Sequence, residues 1–180
     1  MKYSLLIPCI ILCCQKQPPI DFFKENIVIE IKDNGAMVTG QYFFKNLTDQ
    51  DKRVTFYYPF PVDSNHVYPD TIMLDFLYTK DTAGIYFDMP MKAQSICSLE
   101  ISYYQKTRLN QFTYITTTTH QWKKSIKQAL FTIIAPASLQ VRFNYSPYTH
   151  KKVNDKSVFT VKKTDFFPEN DLDIKWHVTP

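Results

Sequence analysis

The chain has 180 residues and a formal net charge of +4, a length that sets an expectation of one domain. Hydrophobic residues make up 44% and charged residues 21%, the balance of a folded chain and not of a disordered one. Its three glycines, Gly35, Gly40 and Gly84, cannot supply a Gly-rich phosphate loop, so P-loop NTPases and dinucleotide-binding folds are excluded, while 16% aromatic residues suit β-sheet.

The first element in chain order is a leader. Met1-Lys2 gives a positive start, residues 5–14 are apolar apart from Pro8, and Gln15 to Pro19 is polar. A charged start followed by an apolar run of about ten residues predicts a secretory signal, since about 20 residues are needed to span a bilayer. Three of the four cysteines, Cys9, Cys13 and Cys14, fall in this leader, and only Cys97 lies beyond it. A body with one cysteine forms no internal disulfide, so its stability must come from its core. Cysteines at the end of an apolar run, just before a polar linker, resemble the cleavage site of bacterial lipoproteins. That family places a small residue before a lipid-bearing cysteine. Here Cys13 stands in that place, which favours Cys14 as the acceptor, with Cys13 as the alternative. The resemblance implies a lipid anchor at Cys14 and a membrane of the cell envelope as the first partner. Acyl chains contribute about 0.8 kcal/mol per buried CH₂, so they hold a soluble domain at a membrane without a spanning helix. The expected organisation is a signal peptide over residues 1–14, a tether over 15–24 and one domain over 25–180.

From residue 26 the chain alternates with period two. Ile27, Ile29 and Ile31 share one side, with Glu30 and Lys32 on the other. Five- to eight-residue alternations recur around Tyr42, Phe56, Ile72 to Tyr78, Leu99 to Tyr103, Val141 to Phe143 and Ile174 to Trp176. Each predicts a strand with one face in a core and one in water. Shorter candidates cover 85–89, 111–119, 128–135 and 157–163. Asp33-Asn34-Gly35 is a hairpin signal. Trp122 to Gln128 is the one stretch with helical character. Many one-sided strands without βα alternation predict an all-β fold, an antiparallel immunoglobulin-like two-sheet β-sandwich, with a closed barrel as the alternative. Leu99, Ile101, Val141, Phe143, Ile174 and Trp176 are expected in its core.

Val38 to Thr48, with its Phe44-Lys45-Asn46-Leu47-Thr48 corner, and the following run ending Tyr58-Pro59-Phe60-Pro61 resemble a known hairpin. It is similar to the opening hairpin of inter-alpha-trypsin-type vault domains and of secreted bacterial β-sandwich proteins, over residues 36–61. The resemblance implies a β-sandwich and brings no catalytic residue with it.

Tested for chemistry, the sequence gives few constellations. Four histidines, His66, His120, His150 and His177, sit outside any Gly-x-Ser-x-Gly elbow. Cys97 alternates with Leu99 and Ile101 and reads as a small core hydrophobe. No Cys-x-x-Cys or His-x-x-x-His pair is present, which speaks against structural zinc. The densest acidic cluster, Glu169, Asp171 and Asp173, offers hard oxygen ligands for Ca²⁺, against the plainer reading of a solvated outer face. Tyr57, Tyr68, Tyr86, Tyr104, Tyr114 and Tyr148 could stack on sugars, against the plainer reading of cross-strand pairing. Thr116 to Thr119 reads as strand-forming sequence. A lysine-rich last third could meet anionic lipid or polysaccharide, and export argues against nucleic acid. The expectation is therefore a lipid-anchored envelope domain, otherwise secreted or periplasmic, with a non-enzymatic binding or structural role, no catalytic residues or cofactors, and a protein or polysaccharide of the envelope as partner. A carbohydrate-binding module or an envelope hydrolase is the alternative.

Overall fold

Alternation becomes architecture when rows of alternate residues meet across strands. The structure, a computed structural model, describes residues 19–178. The leader, with Cys13 and Cys14, lies outside them. In chain order the strands are β1 (Ile20–Lys32), β2 (Gly35–Asn46), β3 (Lys52–Pro59), β4 (Thr71–Leu74) and β5 (Tyr78–Asp81). Then come β6 (Gly84–Met91), β7 (Ile96–Lys106) and β8 (Gln111–Tyr114), followed by a 3-10 helix, Thr117–Trp122. The chain closes with β9 (Ile126–Pro136), β10 (Leu139–Phe143), β11 (Thr149–Val153), β12 (Lys156–Phe166) and β13 (Leu172–Val178).

The fold is an all-β sandwich. One layer is a seven-stranded sheet in the order β11-β12-β9-β1-β2-β7-β4. Its register aligns Val161, Phe131, Ile27, Gly40, Ile101 and Leu74 in a single row across six strands. All but Leu74 are buried. The facing layer is divided into two three-stranded sheets, β10-β13-β8 and β3-β6-β5. Aromatic contacts show that both cover the same face. Phe44 of β2 packs on Phe56 of β3 at 4.9 Å, Phe131 of β9 on Tyr114 of β8 at 6.4 Å, and Phe143 of β10 on Phe159 of β12 at 5.6 Å.

The structure departs from the expected pattern at five places. The pair β1–β9 is parallel, so the large sheet is not purely antiparallel. The second layer is two sheets instead of one, so the sandwich has three sheets in all. The first strand begins at Ile20 and takes in residues expected in the tether. Ile20 and Phe22 are buried there, and Lys124 holds Asp21 at 2.8 Å. The run from Ile72 to Tyr78 is not one strand: Leu74 pairs with Ile101 in the large sheet, whereas Tyr78 pairs with Phe87 in a small one. Residues 75–77 make the crossing between layers. Finally, the helical turn covers the threonines 117–119 and ends at Trp122, earlier than expected, and Ile126 already starts β9. Asp171 Oδ1 holds that turn by accepting hydrogen bonds from the Thr116 and Thr117 amides at 2.9 and 3.0 Å.

The expected core residues Leu99, Ile101, Ile174 and Trp176 are buried, while Val141 and Phe143 are half-buried. The sheet edge at β11 is fully exposed and carries His150, Lys151 and Lys152. Edge lysines such as Lys151 and Lys152 discourage pairing with another strand.

Candidate functional site

Two places combine space with convergent polar groups. The first lies at the seam where the second layer divides. Glu25 continues the Ile27, Ile29, Ile31 phase of β1 backwards by two residues, so the pleat turns its carboxyl inward. Its neighbours across the large sheet are Ala129 on β9 and Tyr42 on β2. Tyr42 crosses to both small sheets: its hydroxyl bonds the Tyr58 hydroxyl at 2.8 Å and the Tyr114 hydroxyl at 2.7 Å. Gly40 makes this possible, because the Tyr42 ring lies back over it and a Cβ there would overlap the hydroxyl. Glu25, these three tyrosines, Thr116 and Thr119 border a small cavity of about 50 Å³. Glu25 is 3% exposed, and its Oε1 accepts no hydrogen bond from any described residue. Burial alone pushes its carboxyl up to about 8. Burial likewise raises the Tyr42, Tyr58 and Tyr114 hydroxyls, so they stay neutral.

The second place is an open groove of about 540 Å³ on the outer face of the β3-β6-β5 sheet. Arg53 and Thr55 of β3 stand beside Asp88 and Tyr86 of β6, and the crossing residues Asp75 to Leu77 form its wall. Thr55 donates to Asp88 Oδ1 at 2.7 Å. Leu77 is 98% exposed, a large apolar side chain held in water at the rim. Tyr57 pairs with Tyr86 across the strands, ring centroids 4.7 Å apart, and both rings are exposed.

The residues singled out by sequence fall in several places. Tyr57 and Tyr86 pair on the outer face of the β3-β6-β5 sheet, where Tyr86 lines the groove. Tyr148 is exposed but packs on Phe143, far along the chain at β10. Tyr68 is half-buried and donates to the Gly84 carbonyl at 2.8 Å. Tyr104 donates to Asn34 Oδ1 at 2.6 Å. Tyr114 is buried at the seam and offers no surface for stacking, a correction to its sequence reading. Asp171 Oδ1 is used by the backbone of the threonine turn and by the Thr117 hydroxyl at 2.9 Å. Asp173 Oδ1 accepts from the Thr113 hydroxyl at 2.6 Å, and Glu169 is exposed. Among the described residues, no three His, Cys, Asp or Glu side chains gather as metal ligands. Cys97 is a half-buried free thiol, raised by desolvation.

His66 is the one buried histidine, and its Nδ1 lies 2.9 Å from Asp63 Oδ1. The Thr113 amide donates to its Nε2 at 3.1 Å. That fixes Nδ1 as the proton-bearing nitrogen and leaves Nε2 occupied by main chain, a structural role. Sequence reasoning passed over Glu25. The signal for it was present, since extending the isoleucine alternation by two residues places a carboxylate in phase with the core.

No family model matches the chain, and no curated protein matches it. Solved structures share its fold. A Legionella pneumophila protein, provisionally described as nutrient binding, superposes with a TM-score of 0.68 at 14% identity, covering 89% of this chain and 67% of its own. An M1 zinc metallopeptidase from Deinococcus radiodurans superposes with a TM-score of 0.51 at 10% identity. That match covers 88% of this chain and 42% of the peptidase, so the chain spans less than half of the enzyme's length. At these identities the likeness is one of fold.

Proposed function

We propose that this protein is an exported, non-enzymatic binding domain, lipid-anchored at the cell envelope through Cys14, that takes a saccharide in the groove of the β3-β6-β5 sheet. The carrying observation is the groove itself. Its volume of about 540 Å³ falls within the few hundred to 1,000 Å³ usual for ligand sites. The exposed Tyr86 ring on the groove's lining, with Tyr57 packed beside it, gives a flat apolar face on which the C–H face of a sugar ring can lie. Arg53, Asp75 and Asp88 supply the donors and acceptors that neighbouring sugar hydroxyls require. The provisional description of a neighbour of the same fold as nutrient binding is consistent with this reading. A hydrolase reading also has a neighbour of the same fold, the M1 zinc metallopeptidase, but it finds no suitable site among the described residues. The strongly shifted Glu25 lies in a cavity of about 50 Å³, too small for a sugar or peptide substrate, and His66 Nε2 is occupied.

The test is calorimetric titration of the purified full-length protein with a panel of neutral and acidic oligosaccharides. Binding is expected for at least one member, weakened roughly tenfold by Tyr86→Ala, the effect of losing about 1.4 kcal/mol. Absence of binding across the panel, or turnover of any bound glycan, would overturn the proposal.

A further inference from the structure

The seam cavity has a chemistry that the groove does not share. Glu25 is the one charged residue on its lining. Among the described residues no lysine or arginine lines it: Lys124 is committed to Asp21 at 2.8 Å and Lys24 lies over the Phe43 ring. The hydroxyl protons of Thr116, Thr119 and two of the three tyrosines are turned toward protein acceptors, whereas the Thr118 hydroxyl, also on the lining, makes no hydrogen bond to a described residue. Thr119 donates to the Thr116 carbonyl at 3.0 Å, and Thr116 bonds the Tyr145 hydroxyl at 2.8 Å and the Asn170 carbonyl at 3.1 Å. The two bonds among Tyr42, Tyr58 and Tyr114 use two of their three hydroxyl protons. What these groups present to the cavity is therefore mostly oxygen lone pairs, around a carboxylate oxygen that no described group satisfies.

We infer that the seam cavity is a binding site for a small monovalent cation, an alkali-metal ion or an ammonium group, held by Glu25 and the surrounding hydroxyl oxygens. The size agrees. A site needs about 10–15 Å³ of such volume for one water-sized occupant, and this one offers about 50 Å³. The charge agrees as well. Calcium sites use 6–8 oxygens with several carboxylates, whereas one carboxylate among neutral tyrosines would leave a divalent ion with an unbalanced positive charge in a buried place. A monovalent ion instead neutralises Glu25.

Binding exchanges one charge for another: the cation enters and the carboxyl proton leaves to solvent. The titratable groups facing Glu25 are Tyr42 from β2, Tyr58 from β3 and Tyr114 from β8, with Tyr145 beyond β10, all raised by burial. Glu25 alone therefore carries the exchange. With its carboxyl raised by burial to about 8, cation binding should release more proton at pH 7 than at pH 9.

The experiment is thermal unfolding of the full-length protein at pH 9 in potassium, sodium, ammonium, methylammonium or choline chloride at equal ionic strength. A saturable rise in Tm is expected with at least one small cation and not with choline, and Glu25→Gln should abolish the difference. Which salts act separates an alkali-metal ion from an amine. Proton release by the wild-type protein, followed at pH 7 and pH 9 on adding the active cation, tests the same site without a variant. Equal Tm in all five salts, an unchanged cation effect in Glu25→Gln, or no proton release at pH 7 would overturn the inference.

Discussion

Glu25 shows how one residue couples a fold to pH. Burial holds its carboxyl at about 8 instead of 4.5, so the folded protein keeps a proton that the unfolded chain gives up. Its contribution to stability is thus fully present below pH 4.5 and is lost as pH rises toward and through 8. The full effect is on the order of a few kcal/mol. In buffer free of small cations, urea midpoints measured from pH 5 to pH 9 should fall for the wild type, and Glu25→Gln should remove most of that fall. An unchanged slope in the variant would place the titration elsewhere. Cys14 carries a prediction at the same scale. The wild-type chain should incorporate a palmitate analogue during growth, and Cys14→Ser should not. Undiminished labelling of that variant would move the anchor to another residue.

At the scale of elements, the alternating strands were legible because a pleat with one wet face imposes period two on its sequence. Trp176 on β13 illustrates this, buried opposite Val141 as its phase requires. Trp176→Ala should cost roughly 3–5 kcal/mol, read as a lowered urea midpoint at unchanged slope. Gly40 is a different case. Its value lies in the absent Cβ, which lets the Tyr42 ring fold back and join the two small sheets. Gly40→Ala should cost roughly 1–3 kcal/mol through overpacking, and a crystal structure of the variant should show the Tyr42 hydroxyl displaced from Tyr58 and Tyr114. The elements that periodicity misassigned share a cause. Ile72 to Tyr78 keeps its phase while the chain changes sheets, and the threonines have strand propensity yet turn because Asp171, more than fifty residues on, holds their amides. Local pattern carries no record of partners that far along the chain.

For the whole molecule, the large sheet runs beneath both small ones and should make their unfolding cooperative. Trp122 reports the β3-β6-β5 side, against Phe44 and Phe56, and Trp176 reports the β10-β13-β8 side. Fluorescence of Trp122→Phe and Trp176→Phe, each leaving one tryptophan, should give denaturant midpoints coincident with circular dichroism of the same variant. Separate midpoints would show that the halves unfold independently. The sequence by itself determined the all-β class, most strands and much of the core, because burying one face of a strand leaves its mark on every second residue. Only tertiary structure decided the rest. Side-chain alternation is identical for parallel and antiparallel strands, so the β1–β9 pairing could not be read from it. Nor could the division of the second layer, which depends on which strand edges meet. The groove and the Glu25 cavity exist because strands distant in sequence are brought side by side, and that proximity is a property of packing alone.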